Sequence, residues 1–136
     1  MDQTVKVATG AFIVKEGNVL LVTGPKFKPH WTVPGGKLAF GEKSETCVKR
    51  EVKEELNVGV EIIAQPIYTE KMVKISGDPT HFIFINYLCH ITKEPKVDGR
   101  ELTSLKWEKI DDAIHDETVN ISVREMLQEF KKMKKL

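Results

Sequence analysis

The chain has 136 residues, 40% of them hydrophobic, with 21 basic against 20 acidic side chains and a formal net charge of +1. That length suits one domain with a core that needs no disulfides, so a single domain over residues 1–136 is expected. So even a charge balance excludes binding driven by bulk charge, whether to nucleic acid or to a membrane surface, and any charged site must be local.

The opening "MDQTVKVATG" lacks the basic flank and apolar run of a leader. No segment carries the roughly 18 uninterrupted apolar residues that cross a bilayer. A cytoplasmic location is therefore expected, with neither membrane nor specific nucleic acid as a partner. Cys47 and Cys89 lie in apolar segments without CxxC or Cys/His spacing, which argues against zinc and reads as two small core residues in a reducing compartment.

In chain order, "VKVATGAFIVKEGNVLLVTG" predicts two strands joined at "EGN", with Gly17 and Asn18 supplying the turn. From Pro25 to Gly41 prolines and glycines punctuate a long loop, in which "WTVP" is the extended piece. Ser44 can cap a helix whose first turn holds Glu45 and whose apolar stripe is Val48, Val52 and Leu56. Asn57 suits the left-handed position that ends it.

"VEIIAQPIYTEKMVKI" and "HFIFINYLCHI" then predict strands on either side of the turn "SGDPT". The second is apolar on both faces and belongs in the middle of a covered sheet. After "LTSLKWEKI", a last strand, comes a helix with Ile121, Val123, Met126, Leu127, Phe130 and Met133 along one face. The economical architecture is α/β, a mixed sheet between two helices.

The first helix is chemically unusual. At 100 degrees per residue, Glu51, Glu54 and Glu55 share an arc of about 100 degrees, while Lys49 and Lys53 fall on the far side. Arg50, four residues before Glu54, is the one basic residue whose helical spacing reaches them. Like charges so placed repel, and a hard divalent cation with oxygen ligands would offset that; a solvated acidic face is the plainer reading of these three residues alone.

The flanking residues decide between the two. Gly36, five residues, Glu42, seven residues, then Arg50-Glu51-Val52-x-Glu54-Glu55-x-Asn57-Val58 resembles the Nudix box, G-x5-E-x7-R-E-U-x-E-E-x-G-U, where U is a bulky aliphatic residue. Asn57 departs from the box glycine, but asparagine tolerates the same left-handed conformation. "GAFIV", "VLLV", "WTVPGGKLAFGE" and the Glu101/Trp107 pair look like further Nudix hydrolase segments, so the likeness covers most of the chain.

The resemblance implies an α/β/α sandwich in which the mixed sheet lies between the box helix and the C-terminal helix. It implies hydrolysis of a nucleoside diphosphate linked to X, with Mg²⁺, or Mn²⁺ in its place, as cofactor. By matched position Glu51, Glu54 and Glu55 would hold metal, aided by a backbone carbonyl at Gly35 or Gly36. Glu51 or Glu101 would be the general base, and Glu101 reads equally well as a surface residue. Arg50 would orient Glu42 and Glu51, with Glu42 and Asn57 structural.

Trp31 and Phe27 in the long loop could stack on a base, although Trp31 also suits the core. Asn120 stands roughly where MutT-like relatives recognise a purine, and it also suits a helix cap. The expected substrate is a small nucleotide, first a nucleoside triphosphate cleaved to a monophosphate and pyrophosphate. ADP-ribose or another nucleotide sugar is the alternative; Val73 stands where many ADP-ribose enzymes carry proline. A non-catalytic nucleotide-binding module is a third reading, against which the intact triad argues. The oligomeric state stays open, a homodimer being one option among relatives.

Overall fold

Strands buried on both faces account for the near-continuous apolar runs. The computed structural model describes residues 4–75 and 77–136. In it β1 (Lys6–Lys15) and β2 (Asn18–Thr23) form the first hairpin. Its turn falls on Glu16 and Gly17, with φ of 49° and 79°, one residue earlier than expected. Asn18 already belongs to β2, and its side-chain amide donates to the carbonyls of Lys15 and Glu16.

The remaining elements are β3 (Gly35–Lys37), α1 (Ser44–Leu56), β4 (Glu61–Ile62), β5 (Ile67–Ile75), β6 (Asp78–His90), β7 (Ser104–Lys109), α2 (Ile110–Ala113) and α3 (Ile121–Lys132). The sheet runs β4-β6-β1-β2-β7, with β3 added to β1 and β5 to β6. Among the named strands only the β1–β6 pairing is parallel, so the sheet is mixed, and β6 is paired on both sides.

Three boundaries differ from expectation. The extended ladder in the long loop is Gly35–Lys37, and Trp31 and Thr32 make single bridges only. The segment after α1 splits into β4 and β5 around Pro66, which has no N–H to give a ladder. β6 begins at Asp78, inside the expected turn "SGDPT", of which Ser76 lies outside the described residues.

Alternation along the strands feeds two cores. Ala11, Ile13, Leu20, Val22, Ile85 and Cys89 meet Val48, Val52 and Leu56 of α1. On the other face Phe12, Val19, Leu21 and Leu88 meet α2 and Val123, Met126, Leu127 and Phe130 of α3, with Phe12 and Phe130 edge to face at 5.3 Å. Each such side chain contributes roughly 1.5–3 kcal/mol of burial. Both cysteines are buried and free. The expected α3 stripe is shorter than its sequence pattern: Ile121 and Met133, at the helix ends, are 57% and 51% exposed.

The ends of α1 are fixed by tertiary partners. Lys43, not Ser44, occupies the N-cap, and the Ser44 hydroxyl instead meets the Tyr87 hydroxyl at 2.6 Å, tying the helix to β6. At the other end Asn57 is left-handed (φ 57°, ψ 32°), and its N–H donates to Lys53 O. The amides of Lys96 and Asp98 cap the carbonyls of Leu56 and Glu55, leaving few orphans in the last turn.

This predicts a clean ranking at position 57. Asn57→Gly should leave stability within about 0.5 kcal/mol, whereas Asn57→Ala should cost about 1 kcal/mol and lower Tm by about 4 °C. Thermal unfolding of the three proteins checks it.

Candidate active site

The box helix and the glycine strand face each other across a gap that only glycine permits. Gly35 and Gly36 of β3 pair with Gly10 and Thr9 of β1. A Cβ on Gly35 would lie 2.0 Å from the Thr9 carbonyl, and one on Gly36 would lie 2.4–2.6 Å from the atoms of the Glu51 carboxylate. Glu51 therefore occupies the volume that a side chain at position 36 would need.

Arg50 organises the rim. Its Nε and Nη2 donate to the two oxygens of Glu42 at 2.7 and 3.0 Å, a bidentate fork, while Nη1 donates to Glu51 at 3.0 Å and to Glu54 at 3.3 Å. Glu42 also accepts from the Ala39 amide at 3.1 Å. The guanidinium, followed by that amide, holds the Glu42 carboxyl down at about 2. Glu54 keeps 58% of its side-chain surface exposed, and its contacts with Arg50, at 3.3 and 3.4 Å, are longer than those of Glu42 and Glu51.

Glu55 is the opposite case. It is 6% exposed, and the one hydrogen bond to its carboxylate among the described residues is from the Gly35 N–H at 3.0 Å. Burial pushes its carboxyl up to about 8; the Gly35 amide opposes the shift, and the charges of Glu51, Glu101 and Asp98 reinforce it. Burial raises the Glu51 carboxyl as well, against the pull of Arg50.

Glu101, exposed in the segment before β7, is close enough for its charge to act on both Glu51 and Glu55. Two features hold that segment. Asp98 accepts from the amides of Arg100 and Leu102 at 3.2 and 2.9 Å, and the Glu101 carbonyl lies against Gly24, where a Cβ would be 1.9 Å away. Asp98 belongs to "DGRE", whose Asp-Gly pair carries the signal of an ordered turn.

The Gly36 carbonyl accepts from the Thr9 hydroxyl at 3.4 Å and the Cys47 thiol at 3.8 Å, both long contacts. Arg50 also reaches more of the cluster than helical spacing implied, because Glu42 from the preceding loop anchors it in place.

The structure brings Trp31 and Asn120 together. Trp31 N–H donates to Thr118 O and Asn120 N–H to Trp31 O, and Lys106 Nζ sits 4.6 Å from the Trp31 ring centre. Trp31 is half-buried and packs against the α3-side core, so the core reading of this residue holds in part. Asn120 is the N-cap of α3, its Oδ1 accepting from the Ser122 amide at 2.8 Å. Phe27 is exposed in the loop, with its N–H on Gly24 O.

The donor set fits a hard cation. It offers carboxylate oxygens alone, one of them buried with a single donor and others crowded against a glycine. Among the described residues, however, no three acidic, His or Cys side chains already converge on one point, since Arg50 holds Glu51 and Glu54 toward itself. Glu51, Glu54 and Glu55 are the residues a cation would draw together.

Comparison with known proteins places this geometry. Nudix hydrolase 5 of Arabidopsis thaliana is 25% identical over 128 residues, 90% of this chain; the chain spans 42% of that relative's length. The crystal structure of a MutT NUDIX hydrolase from Burkholderia pseudomallei is 29% identical, covers 93% of this chain and 98% of its own, and superposes with a TM-score of 0.79. The MutT protein of Methanosarcina mazei Go1 shares the fold at a TM-score of 0.79, with 21% identity over 100% of this chain and 99% of its own. The NUDIX domain family model matches residues 4–130, which include every residue of the site just described, and the chain belongs to that family.

Proposed function

We propose that the chain is a divalent-cation-dependent hydrolase that cleaves the phosphoanhydride of a nucleoside diphosphate linked to X, acting first on nucleoside triphosphates. The observation that carries this reading is Glu55, a carboxylate 6% exposed, aimed at the Gly35 amide and flanked by the negative charges of Glu51 and Glu101. Such a cluster destabilises the protein unless it serves a cation.

A divalent cation held by Glu51, Glu54 and Glu55 supplies positive charge and Lewis acidity against the pyrophosphate oxygens. The chain's own residues do the rest. Arg50 fixes Glu51 and, through Glu42, the loop between β3 and α1. Glu51 or Glu101 accepts the proton of the attacking water; both carboxylates are near enough for their charges to act on the buried Glu55. Trp31, with Lys106 over its ring, and Asn120 border the place for the nucleoside, with Phe27 further out on the loop. The products are a nucleoside monophosphate and phosphorylated X, or pyrophosphate when X is the remainder of a triphosphate.

The preference for triphosphates rests on the likeness to the Burkholderia MutT NUDIX hydrolase and on Val73 in place of the proline of many ADP-ribose enzymes. Incubation with Mg²⁺ and a panel of nucleoside triphosphates and nucleotide sugars tests it. Pyrophosphate released from a triphosphate is expected; turnover of ADP-ribose alone would move the substrate to the sugar class, and no turnover of any member would refute hydrolysis.

Glu54→Gln should lower kcat on the order of 100-fold while changing stability by less than about 0.5 kcal/mol, because an exposed side chain loses only long contacts with Arg50. Steady-state kinetics and denaturant unfolding separate the two.

A pH signature should accompany Glu55 in metal-free protein. Its folded pKa of about 8 exceeds the ordinary 4.5, so between these values the folded state binds a proton that the unfolded chain has released. Stability contributed at this site therefore falls as pH rises from 4.5 to 8. Glu55→Gln should match wild type below that window and become progressively more stable than it through the window. Unfolding midpoints measured in chelator at acid and alkaline pH check the sign.

A further inference from the structure

β6 carries one polar side chain in the middle of an apolar run. Asn86 is 6% exposed, and its position is tightly specified: Nδ2 donates to Ile67 O at 3.0 Å and to Thr69 Oγ1 at 3.1 Å. A carbonyl can only accept, so these bonds fix which end of the amide points where. Both Nδ2 hydrogens are used. Oδ1, by contrast, accepts no hydrogen bond among the described residues, yet it is not among their fully enclosed unpartnered atoms, so it keeps an opening.

That opening leads across Gly10. A Cβ on Gly10 would lie 3.3 Å from Asn86 Oδ1 and 3.6 Å from Val33, so the missing side chain leaves a niche over the sheet with the amide oxygen on its wall. Val33 packs beside Trp31 on the same face of the sheet. The register places Asn86, Gly10 and Gly35 in one transverse row, Asn86 opposite Gly10 and Gly10 opposite Gly35. Gly35 is the residue whose amide holds Glu55. Two strand spacings, roughly 10 Å, thus separate the Asn86 backbone from Gly35, and the amide oxygen lies between them, over Gly10. The niche opens on the α3 face of the sheet and α1 packs on the other, so a nucleotide with its phosphates at the carboxylates would pass the β3 edge to bring its base to the niche.

We infer that Asn86 is a specificity-determining residue, whose fixed Oδ1 acceptor in the Gly10 niche selects nucleobases that present an exocyclic amino group. The inference rests on the nucleotide reading of the site and deepens it. An amino group donates to Oδ1; a keto oxygen at the same position sets two acceptors face to face, and Asn86 cannot respond by flipping because Nδ2 is bound to the Ile67 carbonyl. Cytosine and adenine present such a donor, while uracil and hypoxanthine present oxygen there.

The test compares kcat/KM with Mg²⁺ for CTP against UTP and for ATP against ITP, pairs that differ in the amino-to-keto exchange. Wild type should favour the amino member of at least one pair by about 10-fold or more. Asn86→Leu should bring that ratio to within about twofold. Gly10→Ala, which sets a methyl over Oδ1 and leaves the Asn86 bonds to β5 in place, should also narrow it, and covers the case in which the leucine variant does not fold. Equal turnover within both wild-type pairs, or a ratio that survives in folded variants, overturns the inference while leaving hydrolysis intact. Calorimetric binding of CMP, UMP, AMP and IMP to wild type, with Mg²⁺ present, covers absence of turnover. Amino-selective binding without turnover then supports Asn86 and refutes hydrolysis, and no binding refutes both.

Discussion

The carboxyl of Glu55 is removed from water on the inner side of a helix, against a sheet strand, with one backbone amide as partner. Ionising a group in such surroundings costs several kcal/mol, and the negative charges of Glu51, Glu101 and Asp98 add to that cost. A fold built only for stability would place leucine or glutamine here. Much of the local structure makes sense as what is needed to keep this carboxyl, and its neighbours, where a cation could join them.

Helix α1 is accordingly anchored at both ends by parts of the chain remote in sequence. The Ser44–Tyr87 hydroxyl pair secures its start, and the 96–98 segment caps its last carbonyls, so Glu51 and Glu55 keep a fixed height relative to β3. The glycines of β3 let the helix approach: any side chain at Gly36 would displace the Glu51 carboxylate. Arg50 then restrains the outer carboxylates without reaching Glu55, so positive charge already covers the rim but not the buried end. Binding a cation would complete an arrangement that the protein leaves electrostatically unbalanced.

Local pattern was a good guide wherever local chemistry decides. The span of α1, its buried stripe of Val48, Val52 and Leu56, and the left-handed Asn57 follow from spacing and backbone preference, and all three are present. The two-sided apolar pattern of β6 correctly put that strand in the middle of the sheet. What sequence did not convey depends on distant partners. Ser44 has the chemistry of a cap, but Tyr87, 43 residues away, takes its hydroxyl. The spacing of the box brought the glutamates to one helix face, yet it said nothing of depth: Glu54 is exposed and Glu55 buried because the sheet lies under one and not the other. Asn86 lies within a strand that reads as apolar on both faces, and only the register with Gly10 and Gly35 relates it to the carboxylates.

The same depth makes the central claim measurable. Carbon-13 NMR of the glutamate carboxyls, with Glu55 assigned by comparison with Glu55→Gln, reports its titration directly. In metal-free protein Glu55 should titrate near 8, and saturating Mg²⁺ should move it below the ordinary carboxylate value of 4.5 as the cation stabilises the charged form. A Glu55 titration that Mg²⁺ leaves unmoved would contradict the account, for the buried carboxylate would then have no part in holding a cation.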